Sequence, residues 1–216
     1  MYILEGNVGA GKSTLLQLIG NHLPHVQVIH EPVDTWSKEG SGNWLLSHFY
    51  QDSSRWGYTM ETYTLFMRVQ EHVRVAQLAH PYKLMERSLY SGNYCFARNG
   101  FDSGVTSQIE WDIYSKWFDF LVTQRCPTPQ GFIYLRVEPE LCYARSKKRN
   151  RSGEESIPLA YFKKLHEQHD NFLLAKKNIN ETLKSVPVLV LDGSPEFETN
   201  PIILQNYLDK IDLFIQ

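Results

Sequence analysis

The chain of 216 residues has few cysteines, no long apolar run and little excess of charge of either sign. Each shortage excludes a class of protein. Cys95, Cys126 and Cys142 are odd in number and widely spaced, without a CxxC pair. That pattern argues against a disulfide framework and a thiolate zinc site, and leaves reduced, packed thiols. No segment reaches the roughly 18 uninterrupted apolar residues of a membrane span. A net charge of −2 supplies no overall basic field, so neither nucleic acid nor an anionic membrane is an expected partner. Glycine-rich residues begin at Gly6, before any targeting pattern can develop, and a cytoplasmic location is expected. Internal repeats and low-complexity linkers are also missing, so residues 1–216 are expected to form one domain.

What is present suits a buried core, with 42% apolar and 13% aromatic residues. Five short apolar runs read as strands: Tyr2 to Glu5, Val26 to His30, Tyr82 to Glu86, Phe132 to Val137 and Val186 to Leu191. Long helix-compatible stretches separate them. This alternation predicts an α/β fold, a parallel sheet with helices on both faces and functional loops at the carboxyl ends of its strands. Between Ile109 and Gln124, apolar residues at Ile109, Ile113, Trp117, Phe120 and Leu121 read as a core-facing helical stripe. Trp111, Tyr114 and Phe118 fall partly off that stripe, and suggest a second buried surface and a homodimer through this helix.

Gly6, Asn7, Val8, Gly9, Ala10, Gly11, Lys12 and Ser13, followed by Thr14, satisfy GxxxxGK[ST] between a strand and a helix opening. In such a loop backbone N–H groups converge on phosphate oxygens and the helix amino end adds a favourable dipole. Lys12 adds a charge, and the Ser13 hydroxyl can ligate Mg²⁺. A nucleoside triphosphate with Mg²⁺ is the expected ligand. Hydrolases and phosphotransferases share this cradle, so the acceptor side has to decide between them. The second strand runs into Glu31, and the third ends in Glu86 followed by Arg87. Transfer to a hydroxyl needs a proton acceptor, a positive group on the reacting oxygens and a metal contact, and these three residues supply those types. The basic run Arg145 to Arg151, ending in Glu154 and Glu155, reads as a lid over phosphates across about 145–156, with Arg149 and Arg151 as its charges.

GNVGAGKST, EPVDTW, MERSLYSGNYCF and RNRSGEESIPLAYFKKLHEQHDNFL together resemble the deoxyribonucleoside kinase family, from residue 3 to about 197. The resemblance implies a P-loop NTPase-type three-layer fold with a five-stranded parallel sheet and a helical lid. It also implies ATP-dependent phosphorylation of a deoxynucleoside 5′-hydroxyl, usually by a homodimer. By motif position it makes Glu31 the base on that hydroxyl, Arg87 its partner and phosphate ligand, and Glu86 a magnesium contact. Tyr50 and Glu154 become the pair on the sugar 3′-hydroxyl; Trp36, Leu46 and Phe96 pack the nucleoside. Arg149 and Arg151 fall on the lid, and Phe197 beside the donor adenine.

The base pocket departs from the family. Glu61 stands where members usually have a glutamine, Arg68 matches the deoxycytidine and deoxyguanosine kinases, and Gly92 replaces an aspartate or alanine that would face Arg68. An ionised carboxylate only accepts hydrogen bonds. Guanine offers it N1–H and the 2-amino group side by side, whereas adenine and cytosine pair one donor with a ring acceptor. Deoxyguanosine is therefore the expected first substrate, within a purine preference; a Glu61 to Arg68 salt bridge on one helix face is the competing reading. Deoxyadenosine, deoxycytidine or broad specificity is the alternative. A nucleoside monophosphate kinase is disfavoured by Glu31, and a non-catalytic subunit by the presence of Lys12, Glu31, Glu86 and Arg87. A GTPase switch lacks its DxxG and NKxD elements. His166 and His169 are spaced unlike HExxH and read as a polar helix face.

Overall fold

The computed structural model describes residues 1–31, 43–150 and 157–216. In chain order its elements are β1 (Tyr2–Glu5), α1 (Lys12–His22), β2 (Gln27–Ile29), α2 (Asn43–Gln51), α3 (Ser53–Ala76) and β3 (Lys83–Glu86). There follow α4 (Leu89–Ser91), a π-helical turn (Gly92–Ala97), α5 (Arg98–Asp102), α6 (Gln108–Arg125) and β4 (Gly131–Arg136). The chain closes with α7 (Pro139–Arg149), α8 (Leu159–Leu173), α9 (Glu181–Lys184), β5 (Val188–Asp192) and α10 (Pro201–Ile215). All five expected strands are present, β1 at its expected bounds and the others with ends shifted by at most two residues. They pair in parallel in the order β2-β3-β1-β4-β5.

Side-chain alternation along the strands builds a separate core on each face of the sheet. Leu4, Leu84, Ile133 and Leu135 point to one side, where Leu15, Leu16 and Ile19 of α1 and Leu208 and Ile211 of α10 cover them. Ile3, Met85, Phe132 and Tyr134 point to the other, beneath α3, α6 and α8. The central strand β1 is buried on both faces, as its unbroken YILE sequence requires. Its carboxyl end, flanked by those of β3 and β4, opens into the glycine-rich loop, so the loop sits at the middle of the sheet's edge.

Helix α6 corrects one expectation. Tyr114, Phe118 and Val122 face the core, while Ile109 is 72%, Ile113 42%, Trp117 51% and Phe120 45% exposed. The expected core-facing stripe is thus the outer face. The three aromatics on the inner side bury more area and find ring partners: Phe118 meets Tyr90 and Tyr94 edge-on, and Trp111 stacks on Phe101 and Tyr114. His169 is a second correction. It is fully buried, stacked on Tyr134, and burial drives its pKa down to about 3, so it is a neutral core residue.

Among the described residues no helix is long and apolar enough to cross a membrane and no metal-binding cluster of histidine, cysteine or acid occurs. Cys95, Cys126 and Cys142 are free thiols, with Cys95 and Cys142 buried.

Candidate active site

The glycine-rich loop is held from several sides. The Asn7 amide donates to Phe162 O at 2.9 Å and its Oδ1 accepts from Val8 N at 2.8 Å. Lys12 Nζ donates to Asn7 O at 2.8 Å. Gly9 has φ +74°, and a Cβ there would lie 2.3 Å from Cys142 O, so the tight packing of the loop on α7 admits only glycine. Arg145 ties the loop to the end of β5: its guanidinium donates to Ala10 O at 3.4 Å, Gly193 O at 2.9 Å and Ser194 O at 3.4 Å. That role, holding the loop rather than closing over it, is invisible in a basic run. Burial lowers the Lys12 pKa to about 8, with Arg87 adding to the effect.

Ser13, at the start of α1, donates to Glu86 Oε1 at 2.7 Å, and His30 Nδ1 lies 3.8 Å from Glu86 Oε2. A hydroxyl and a carboxylate oxygen at the phosphate end of the loop form a hard donor pair, which fits Mg²⁺ with phosphate and water completing its shell.

Glu31 follows β2 and receives two cations. Arg68 Nη2 donates to its Oε1 at 2.9 Å, and Arg87 Nε to its Oε2 at 3.4 Å. Burial alone would raise its pKa; Arg87 and Arg68 outweigh that and hold the carboxyl below the ordinary carboxylate range. Arg87 adopts φ +61°, a left-handed conformation that costs a non-glycine residue about 1–3 kcal/mol. Its N–H to Leu4 O at 2.9 Å pins it, and its guanidinium lies 4.6 Å from the centre of the Phe96 ring. Arg87 Nη1 has no hydrogen-bond partner among the described residues. Phe96 comes from the π-helical turn, a distortion that often marks functional sites.

Glu5, which sequence reasoning passed over, is the innermost group. Fully buried at the end of β1, its Oε1 accepts from Ser88 Oγ at 2.5 Å, while Oε2 has no partner among the described residues. Ser88 Oγ in turn accepts from Tyr90 N at 3.0 Å and Ser91 N at 3.2 Å, capping α4 directly after Arg87. Burial pushes the Glu5 pKa up, against the pull of Arg87 and Ser88. Its only sequence signal is a charged residue ending a buried strand.

One cleft of about 530 Å³ runs from the loop to the far wall, bordered by Lys12, Glu31, Leu46, Glu61, Arg68 and Phe96. Arg149 and Phe197 border it at the loop end. Phe197 is nearly buried, its ring 3.2 Å from where a Gly11 Cβ would lie. Met60 and Thr64 of α3 line it beside Glu61, and Phe49 and Tyr161 are lining residues that the motifs did not identify. Arg68 takes Glu31, not Glu61, as its ion-pair partner, which displaces the expected pairing on one helix face. Gly92 makes room for this: a Cβ there would lie 2.8 Å from Arg68 Nη1. The Glu61 carboxyl has no ion pair among the described residues, and burial raises its pKa to about 7 against the pull of Arg68. Trp36, Arg151, Glu154, the Tyr50 side chain and the lid segment 151–156 lie outside the described residues.

Residues 2–216 match the deoxynucleoside kinase family. Similar proteins include deoxycytidine kinase 2 of Gallus gallus, 36% identical over 98% of this chain and 89% of that protein. Mitochondrial deoxyguanosine kinase of Xenopus laevis is 30% identical over 98% and 88%. Mitochondrial thymidine kinase 2 of Homo sapiens is 33% identical over 96% and 76%. With its loop, buried acid and arginines joined in one cleft, the chain belongs to the deoxynucleoside kinase family, and is a phosphotransferase using a nucleoside triphosphate and a deoxynucleoside.

Proposed function

We propose that this kinase prefers purine deoxynucleosides, deoxyguanosine first, and transfers the γ-phosphoryl group of ATP to the 5′-hydroxyl with Mg²⁺ at Ser13 and Glu86. The carrying observation is Glu61: it borders the cleft without an ion pair among the described residues, while the neighbouring arginine is engaged by Glu31. A free carboxylate at the base edge accepts both guanine N1–H and the 2-amino group.

The 5′-oxygen attacks the γ-phosphorus, the bond to the β–γ bridging oxygen breaks, and the hydroxyl proton passes to Glu31. Its depressed pKa keeps Glu31 ionised, ready to accept and orient the hydroxyl. A loose phosphoryl-transfer transition state asks for positioning more than for strong basicity. Arg87, whose Nη1 has no partner among the described residues, bridges Glu31 and the transferring oxygens. Lys12 and the loop N–H groups hold the triphosphate, and Arg149 and Arg151 of the lid add charge. Mg²⁺, when bound, neutralises charge on the phosphate oxygens. Phe197, packed on Gly11, borders the donor adenine. Tyr50 and Glu154 receive the sugar 3′-hydroxyl, and Trp36, Leu46 and Phe96 pack the nucleoside.

A second reading, deoxyadenosine or deoxycytidine, draws support from the Glu61 pKa near 7. A protonated Glu61 offers one donor and one acceptor, like the glutamine it replaces. Glu61→Gln tests the choice: preference should relax from deoxyguanosine toward adenine or cytosine, and an unchanged preference would remove Glu61 from base reading. We also propose that residues 1–216 act as one kinase domain and pair as a homodimer through the exposed stripe of α6, Ile109, Ile113, Trp117 and Phe120.

A further inference from the structure

Beyond the base pocket lies a second cavity of about 250 Å³, sharing Phe49, Glu61, Phe96 and Tyr161 with the main cleft. Its far side is formed by Gly57, one turn before Glu61 on α3, and by Asn99, Gly100, Val105 and Thr106. The absence of side chains at both glycines leaves this space. At Gly57 a Cβ would strike Val105 Cγ1 at 2.5 Å, whereas at Gly100 the nearest atom is Thr106 Oγ1 at 3.5 Å.

Asn99 makes the cavity more than a packing fault. It is 4% exposed and borders the cavity, and its side-chain oxygen has no hydrogen-bond partner among the described residues. Buried acceptors are normally satisfied, and an orphan facing a cavity implies that a donor arrives there. Thr106, 6% exposed, borders the same space. Apolar walls with a few convergent polar groups are the pattern of a ligand pocket. Among the described lining residues the one charged side chain is Glu61, so an anionic occupant is disfavoured.

We propose that this cavity is a subsite for a substituent on the exocyclic amine of the base: a short, uncharged arm ending in an O–H or N–H group that donates to Asn99 Oδ1. The inference rests on the reading that Glu61 faces the base edge. Guanine, adenine and cytosine all carry an exocyclic amine on their pairing edge. A secondary amine keeps one N–H for Glu61 while its arm continues past that residue, between the same Phe49 and Phe96 walls. The substrate class is then N-alkylated deoxynucleosides as well as the unmodified ones.

The test compares kcat/KM for deoxyguanosine, deoxyadenosine and deoxycytidine with that of their N-ethyl and N-(2-hydroxyethyl) derivatives. In the wild-type protein the hydroxyethyl derivative of the preferred parent should stay within about threefold of that parent and exceed the ethyl derivative by about fivefold, the effect of one net hydrogen bond. Asn99→Leu should erase the gap between the two arms. Gly100→Leu, which fills the cavity without backbone strain, should lower both derivatives by about tenfold or more and leave the parents within about twofold. Refusal of the derivatives by a protein that phosphorylates the parents overturns the subsite alone, as does a Gly100→Leu loss shared equally by parents and derivatives. Equal turnover of the two arms removes Asn99 as the acceptor. Failure of every unmodified parent defeats the reading of the main site, and the subsite with it.

Discussion

Arg68 donates to Glu31 Oε1 at 2.9 Å, joining the long helix α3 to the second residue after β2 across 37 positions of chain. The bond engages the carboxylate oxygen that Arg87 leaves, so both oxygens of Glu31 are engaged before any hydroxyl reaches it. It also takes Arg68 away from Glu61. One arginine thus ties the transfer chemistry to the composition of the base pocket.

Arg68→Ala should therefore lower kcat/KM about 10- to 100-fold for every deoxynucleoside accepted, because misplacement of a reacting group by about 1 Å costs that much. Steady-state kinetics on several substrates checks this. A loss confined to one base would make Arg68 a base reader and leave Glu31 independent of it.

Glu31→Gln should lower kcat by about 10²- to 10⁴-fold, the usual contribution of a positioned acid or base, with ATP binding nearly unchanged. Retained turnover would remove the proposed proton acceptor.

Lys12 predicts proton uptake on nucleotide binding. With its pKa lowered to about 8 by burial, the ammonium is charged below that pH and loses its proton above it. A bound triphosphate favours the charged form. Titration calorimetry at about pH 8.5 in buffers of different ionisation enthalpy should report proton uptake that shrinks toward pH 6.5, and Lys12→Met should abolish it. No uptake at the alkaline pH would contradict the shift.

Glu61 predicts two pH effects of one origin. Its native pKa of about 7 exceeds the ordinary 4.5, so between those values the native state binds the extra proton. That stabilising contribution is complete below the unfolded value and is lost as pH rises through 7. Glu61→Gln should then raise Tm relative to wild type at pH 8 by a few degrees and leave it nearly unchanged near pH 4.5. Activity follows the same proton: the ratio of deoxyguanosine to deoxyadenosine turnover should fall below pH 7 in wild type and stay flat in Glu61→Gln. Parallel profiles would exclude titration of Glu61.

Ser88→Ala should cost about 1–2 kcal/mol in denaturant unfolding, from loss of the α4 cap and of the hydroxyl that donates to Glu5 Oε1. Because that cap follows the strained Arg87, kcat should fall as well. Lost stability with unchanged kcat would separate the cap from Arg87.

Much of this was legible beforehand because local pattern carries it. A strand, a glycine-rich turn and a helix opening in sequence place Lys12 and Ser13, and Glu86 follows from the end of β3. The misreadings come from choices local pattern leaves open. Residues 109–124 support two apolar faces, and the larger aromatic area on one of them decided which turned inward. The partner of Arg68 depended on where β2 ends relative to α3, and the buried state of His169 on packing against Tyr134. Glu5 has its role only because the sheet brings β1 beside Ser88.

The central claim is a base pocket read by Glu61, and its most direct test is kcat/KM for deoxyguanosine, deoxyadenosine, deoxycytidine and thymidine with Mg²⁺-ATP at about pH 8, where Glu61 is mostly ionised. Deoxyguanosine should be preferred, with deoxyadenosine ahead of either pyrimidine; a clear preference for deoxycytidine or thymidine would contradict the account.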